Sequence, residues 1–516
     1  MHELWTLAAE SLALGSAALL FVGALLTANA APFRAARVAS SLSLALGVAF
    51  AACLPVLPAE AAGAWIRLDA VSATMLLLVA SLGALIVRYS RTYLAGDPRQ
   101  AHYARWLLAT LGAVTTLVTT THLVVLALAW TATSIALHQL LTFYGERTAA
   151  RVAAHKKFLV SRLADLCLWS GFALVYAAAG KLRLDGLAAW VEQTEALPPM
   201  MHAAAVLFVV AACLKSAQLP FHGWLTQVME APTPVSALLH AGVVNLGGLL
   251  MIRLSPLMAK AALAQALLVV IAMSTVVLAS LVARTRVTAK GALAWSTCAQ
   301  MGFMLVECGL GLWHLAMLHL VAHSFYKAHA FLSAGSVVEH WRIGAMAVPA
   351  QPMSWARLVA SAALALALSV SALWLALGVD HLTPPALALG VMVALAAAAQ
   401  GSGAPMRAAG RAAVLIALYT LAHLASAALW PTAVMEGAAV SLGLALVVGL
   451  AFVALFAVSE TLERAPNGAL ARRLHPWLFA GFHLDERFTR WTFRMWPPRL
   501  PEPANGRSPQ TLESFS

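Results

Sequence analysis

Apolar runs of about twenty residues recur from one end of this chain to the other, and that recurrence decides most of what it can become. The runs do not alternate with period two, so they do not read as barrel strands. At 1.5 Å per residue, about twenty residues cross a hydrocarbon core of ~30 Å as a helix. In that medium only helices and closed barrels satisfy their own backbone groups. Runs begin near residues 4, 37, 68, 105, 122, 157, 201, 234, 262, 290, 314, 356, 384, 411 and 434. Of 516 residues, 61% are hydrophobic and 10% charged, against about a quarter charged in a soluble domain. The expected fold is an all-α polytopic membrane protein with about 14–15 transmembrane helices.

The formal charge of +12 would suggest nucleic acid in a soluble protein. Here Lys and Arg fall mainly in alternate loops: Arg34 and Arg37; Arg88, Arg91, Arg99 and Arg105; Arg147, Arg151, Lys156 and Lys157; Arg284, Arg286 and Lys290; Arg407 and Arg411. The positive-inside rule accounts for that spacing, so no nucleic-acid partner is expected. It places the N-terminus outside and the C-terminal tail in the cytoplasm. Arg253 and Lys260, in the loop at 253–260, are the exception. Glu3 and Glu10 precede the apolar run Leu12–Leu26, which reads as a first membrane helix and not a cleaved leader. TTTH at 119–122 makes a tight hairpin, and the segments at 401–411 and 430–436 read as loops. The five cysteines (Cys53, Cys167, Cys213, Cys298, Cys308) lie far apart without a CxxC pair, so no metal site is expected in this chain. After Glu460, arginines interleave with aromatics from Arg464 to Trp496. That composition fits an amphipathic helix on membrane lipids or a partner. Disorder is expected from Pro497.

Ionisable side chains inside a membrane cost about 2.5–3.5 kcal/mol each on insertion scales, so those retained deserve a role. Lys215 follows a long apolar run in ACLKSAQLPFHGW, and Pro220 breaks the helix just beyond it. His319, His323 and Lys327 stand at i, i+4 and i+8, one ladder on one helix face with ~6 Å of rise between neighbours. Imidazole titrates near neutral pH and a desolvated lysine can approach it, so a proton relay is the expected role. His329 falls off that face. His240, after the broken APTPV segment, could bridge the two features or simply be hydrogen-bonded packing. Arg162 and Asp165 are spaced for an intrahelical ion pair. Glu230 and Glu307 are further acidic candidates. No nucleophile triad, metal cluster or phosphate loop appears, so the chain reads as a transporter subunit and not an enzyme.

The segments LKSAQLPFHGWLTQVMEAPTPVSALLHAG, KGALAWSTCAQMGFM and LHLVAHSFYKAHAFLSAGSVV resemble the antiporter-like subunits of respiratory complex I and the Mrp-type cation/proton antiporters. The similarity covers roughly residues 65–340. It implies two inverted five-helix repeats, each with a broken helix, the first near Lys215–Pro220, and a hydrated axis of charges at mid-membrane. By motif, Lys215 matches the family's broken-helix lysine. His240 matches the histidine that follows, and His319, His323 and Lys327 match the central relay. Arg162 and Asp165 match an Arg/Asp pair of the sixth span. Where the family has a glutamate after a tryptophan, this chain has Trp130-Thr131; His138 or Asp165 is the candidate substitute. The stretch SWARLVASAALALALSVSALWLALG lacks the prolines and lysine of the second broken helix, so an altered or lost second half-channel is expected. The long lateral helix of the complex I subunit is replaced by a short tail.

The segment TATSIALHQLLTFYGERTAARVAAHKKFLVSRLADLCLW is similar to the membrane subunit of the DAB-type inorganic-carbon accumulation systems. That resemblance implies a proton- or Na+-conducting subunit paired with a large cytoplasmic protein resembling a zinc β-carbonic anhydrase. The zinc belongs to that partner; no cofactor is expected in this chain. A complex I or Mrp-type antiporter subunit, and a scaffold that only recruits the partner, are the other readings. The expected organisation is N-terminal helices over 1–64, a conducting core over 65–340, further helices over 341–460 and an amphipathic tail over 461–516.

Overall fold

The computed structural model describes residues 2–27, 31–57, 63–336, 354–377, 383–399, 405–430 and 442–496. Among them β pairing is limited to two isolated bridges, Ile66 with Thr120 and His122 with Arg183. Helices α1 (His2–Leu26), α2 (Pro32–Cys53), α3 (Ala70–Tyr93), α4 (Gln100–Thr119), α5 (Leu123–Leu141) and α6 (Thr148–Ala179) follow one another, α4 and α5 through the expected tight hairpin. Then come the short α7 (Leu184–Gln193), α8 (Pro199–Lys215) and the single turn α9 (Gly223–Thr226). α10 (Thr233–Ala241) and α11 (Leu246–Arg253) form one interrupted span, followed by α12 (Ser255–Lys260). α13 (Ala262–Ala283), α14 (Ala289–Gly309) and α15 (Trp313–Leu332) complete the core. α16 (Trp355–Leu377), α17 (Pro384–Ala399), α18 (Pro405–Leu429) and α19 (Leu442–Arg464) precede a tail of α20 (Ala469–Phe479) and α21 (Leu484–Met495).

Nine helices among the described residues are long and apolar enough to cross a membrane, with three shorter apolar helices beside them. α15 is not one of the nine, because His and Lys occupy positions an ordinary span fills with Leu. Two expected loops are corrected. α6 begins at Thr148, since an alanine-rich turn extends the helix backwards, and Lys156 and Lys157 therefore lie inside it, buried. α18 begins at Pro405, within the expected 401–411 loop. The loop at 430–436 and the stretch from Pro497 fall outside the described residues, apart from Trp430.

The break after Lys215 follows from its sequence. Pro220 has no N–H to continue the helix. Ala217 sits at φ 51, a left-handed conformation that costs a residue with a Cβ about 1–2 kcal/mol. The groups freed by the turn are used: Ser216 Oγ donates to the Val244 carbonyl at 2.8 Å, and Leu219 N–H donates to Thr275 Oγ1 at 3.1 Å. By contrast α16, where a second broken helix would stand, runs uninterrupted.

Arg253 and Lys260, the exceptions to the loop-charge pattern, are consumed inside the fold. Arg253 lies 2.6 Å from Asp69 and donates to Ser72 Oγ at 2.6 Å and the Val118 carbonyl at 3.1 Å. Lys260 donates to the carbonyls of Val191 and Thr194, each at 2.7 Å, where α7 ends. Burial pushes the Asp69 carboxyl up, but Arg253 and Arg67 together hold it below its ordinary value of 3.8. A depressed carboxylate lends stability above its ordinary pKa and loses it as pH falls through the lower folded value. Asp69→Asn is therefore expected to cost about 3 kcal/mol near pH 7, with the deficit shrinking below about pH 4. Thermal unfolding of purified protein across pH reads this; a deficit undiminished at pH 3 would count against it.

Candidate functional site

α5, α6 and α8 build the first cluster. Lys215 is the last residue of α8 and is 4% exposed. Its ammonium donates to Ser134 Oγ at 2.9 Å and rests 4.3 Å from the centre of the Trp130 ring. Lys157, equally buried, donates to the backbone carbonyl of Ser134 at 2.7 Å. One serine on α5 thus bridges two lysines. The carboxylate within electrostatic reach of Lys215 is Asp165, which Arg162 pairs at 2.7 Å. The position of the missing glutamate, Thr131, is followed one turn later by a hydroxyl contact to Lys215, and the counter-charge comes from the neighbouring helix.

α10, α14 and α15 build the second cluster. His319, His323 and Lys327 share a face of α15, yet each has its own partner. His319 Nδ1 lies 2.9 Å from Glu307 Oε2 on α14. His323 Nε2 lies 3.1 Å from the His240 carbonyl, so that nitrogen carries the hydrogen. Lys327 is fully buried and donates to Ser296 Oγ and, at 3.3 Å, to the Leu293 carbonyl. His240 places Nδ1 3.2 Å from Thr297 Oγ1 and stacks its ring on Phe331 at 4.4 Å.

Small polar groups lie between the clusters. Asn245 donates to Ser324 Oγ at 2.7 Å and to the Ala241 carbonyl at 2.8 Å. Beside them is a cavity of about 30 Å³, otherwise lined mainly by apolar side chains of α3, α4 and α10. It is large enough for a water with Asn245 and Ser324 as partners. Ser216, bonded to the Val244 carbonyl next to Asn245, brings the string to Lys215. Proton transfer along such a string needs groups that both accept and donate; imidazole, hydroxyl and amine do so.

Two candidates lie elsewhere. His138 sits among His155, Phe158 and Trp496 and is not a partner of Lys215, because it points to the end of α5 where the tail crosses. Glu230 pairs with Arg147 at 3.0 Å on a half-exposed surface. Sequence reading also missed Lys156 and its partner. Lys156 is fully buried, and its ammonium lies 2.6 Å from both oxygens of Asp485 on α21, 3.0 Å from Gln227 Oε1 and 2.9 Å from Thr489 Oγ1. Asp485 rests on the Cα of Gly223, where any Cβ would collide with the carboxylate. Phe488 meets Phe221 edge-on at 5.5 Å, and Trp496 stacks on His155 at 3.9 Å. The tail therefore straps across the face that carries the basic loops, over the turn that follows Lys215. The inner side of this amphipathic tail packs on the core, a contact its composition does not reveal, while Trp477, Phe479, Trp491 and Phe493 remain exposed. Between strap and core lies a cavity of about 760 Å³, lined by His222, Gln227, Arg286, Trp295 and Asp485 among others. Burial pushes the His222 imidazole down to about 4 against the pull of Asp485, so it is neutral near pH 7. No group of three His, Cys, Asp or Glu side chains able to hold a metal ion occurs among the described residues.

The family described as NADH:quinone oxidoreductase/Mrp antiporter, TM matches residues 120–347. The family of the complex I chain 5 N-terminus matches residues 63–104. A probable inorganic carbon transporter subunit DabB of Hydrogenovibrio crunogenus is 38% identical over 498 residues, covering 94% of this chain and 94% of its own. A probable inorganic carbon transporter subunit DabB2 of Halothiobacillus neapolitanus is 48% identical over 277 residues, 54% of this chain and 50% of its own. NADH-quinone oxidoreductase subunit L of Rhodobacter capsulatus is 37% identical over 289 residues, 53% of this chain and 41% of its own. Among solved structures, the Mrp complex from Dietzia sp. DQ12-45-1b matches with a TM-score of 0.61 and 24% identity, covering 95% of this chain and 59% of that chain. That match is a likeness of fold.

Proposed function

Because this chain belongs to the antiporter-like membrane-subunit family that includes the DabB inorganic carbon transporter subunits, we propose that it is the proton-conducting subunit of an energy-coupled inorganic-carbon accumulation complex. The observation that carries the reading is the pair of buried lysines, Lys215 and Lys327, with His323, His240, Ser324, Asn245 and Ser216 between them. A scaffold has no use for two ammonium groups held out of water at this expense.

The ion is the proton. Na+ prefers several converging oxygens, whereas amines and imidazoles carry protons and make poor ligands for hard cations. The N-terminus faces outward and the basic loops and strap face the cytoplasm. A proton arrives at His319, which Glu307 holds in place. It passes to His323 and Lys327, and a charge there repels protons from His240 and its neighbours. The displaced proton moves past Ser324 and Asn245 toward Lys215 by way of water that the cavity beside them can hold, and Asp165 is the counter-charge there. Release at the turn after Lys215 delivers it beneath the strap. A large cytoplasmic partner, resembling a zinc β-carbonic anhydrase, docks on that face; its zinc would activate water for CO2 hydration. This chain contributes no reacting group to that chemistry.

In cells that depend on this transporter for inorganic carbon, an uncoupler is expected to abolish uptake. Lys327→Ala is expected to lower it about a hundredfold, the low end for loss of a proton-transfer group. Replacing Na+ with K+ should leave uptake unchanged. Wild-type, uncoupler-sensitive uptake in Lys327→Ala would sink the relay.

A further inference from the structure

The ladder on α15 ends at His319, still short of the face opposite the basic loops, and the proposed function gives a proton no path to it. The uninterrupted α16 does not supply one. α18 carries a histidine that the relay does not use. His423 is 3% exposed, and its ring meets that of His314, 7% exposed, edge-on with centroids 4.7 Å apart. His314 is the second residue of α15, at the helix end that faces away from the basic loops. Glu307 stands at the matching end of α14, across the tight 310–312 turn, and already holds His319 at 2.9 Å. Glu307 is also within electrostatic reach of Tyr419, one turn from His423 on α18. The end of α18 is fixed to α3 by Trp430, whose indole donates to Thr74 Oγ1 at 3.1 Å. Histidines from two helices thus gather beyond His319, next to the glutamate of a third that already holds it.

We infer that His423 and His314, with Glu307, form the outer access by which protons reach His319, so that a C-terminal helix supplies the second half-channel in place of a broken helix. The inference rests on the proton-conducting reading. His423 takes a proton from the outer water on one ring nitrogen. The positive charge passes to His314 and then to the Glu307–His319 pair, each imidazole returning to neutral as the next is charged. Tyr419, Glu307, His314 and His319 are the titratable groups around this step.

The test uses right-side-out membrane vesicles carrying the complete transporter, with proton flux read from internal pH. His423→Ala is expected to lower flux at least about tenfold, and external imidazole at millimolar concentration should restore a large part. His423→Gln, which keeps the size and hydrogen bonds but takes up no proton, should remain low despite normal assembly. Wild-type flux in His423→Gln, or His423→Ala loss that imidazole leaves untouched, overturns the inference. Lys327→Ala in the same vesicles separates the two claims. If it conducts normally, the relay itself is wrong; if it is inactive while His423→Gln conducts, only the outer access falls.

Discussion

Lys215→Ala is expected to abolish proton-coupled carbon uptake, and Lys215→Arg to be almost as defective. Alanine removes the ammonium that Ser134 and Trp130 hold, leaving Asp165 with Arg162 as its charge partner. Arginine keeps a positive charge in place but does not give up its proton under physiological conditions, and its fork does not fit a site shaped for a point charge. A structural role for Lys215 would be rescued in part by arginine; a relay role is not. The expected loss is about a hundredfold for both variants. Uptake of labelled inorganic carbon measures it, with membrane abundance and thermal stability as controls. Uptake near wild type in Lys215→Arg would show that Lys215 holds charge without passing protons.

The second large effect concerns the strap. Asp485→Ala leaves Lys156 buried without its carboxylate, and breaking a buried pair from one side costs about 3–5 kcal/mol. The tail should then lift and its arginines become open to trypsin. Replacing both partners, Lys156→Met with Asp485→Leu, removes the stranded charge and should recover most of the stability. Gly223→Ala should release the tail by a different route, since its Cβ would occupy the place of the Asp485 carboxylate. Thermal unfolding and limited trypsin digestion read all three variants. A double variant no more stable than Asp485→Ala would mean that the pair is not what holds the strap.

The spans, the break after Lys215 and the ladder were legible in the sequence because each is local. Twenty apolar residues, a proline after a lysine, and an i, i+4, i+8 spacing leave little choice. What escaped were partners brought together by tertiary structure. Lys156 and Lys157 look like loop charges until the alanines before them are seen to be helical. Asp485 belongs to a polar tail whose composition says amphipathic but not where it docks. Arg253 broke the loop-charge rule because Asp69 and Ser72 take it out of the loop. His314 and His423 were each a lone histidine in an apolar run, and only the packing of α18 against α15 makes them a pair. His138 failed for the opposite reason: it stands two turns from Thr131 along α5, but its side chain turns toward His155 and the tail.

The latch between Lys156 and Asp485 also sets an order of events during synthesis. Its two halves are separated by 329 residues. At about 5–20 residues per second, Lys156 leaves the ribosome roughly 15–65 s before the aspartate that neutralises it. Through that interval the nascent core holds a cation with no counter-ion beside the turn that follows Lys215. A chain cut short before α21 never leaves that state. The charge balance of the core beside that turn is therefore completed only once α21 has been made.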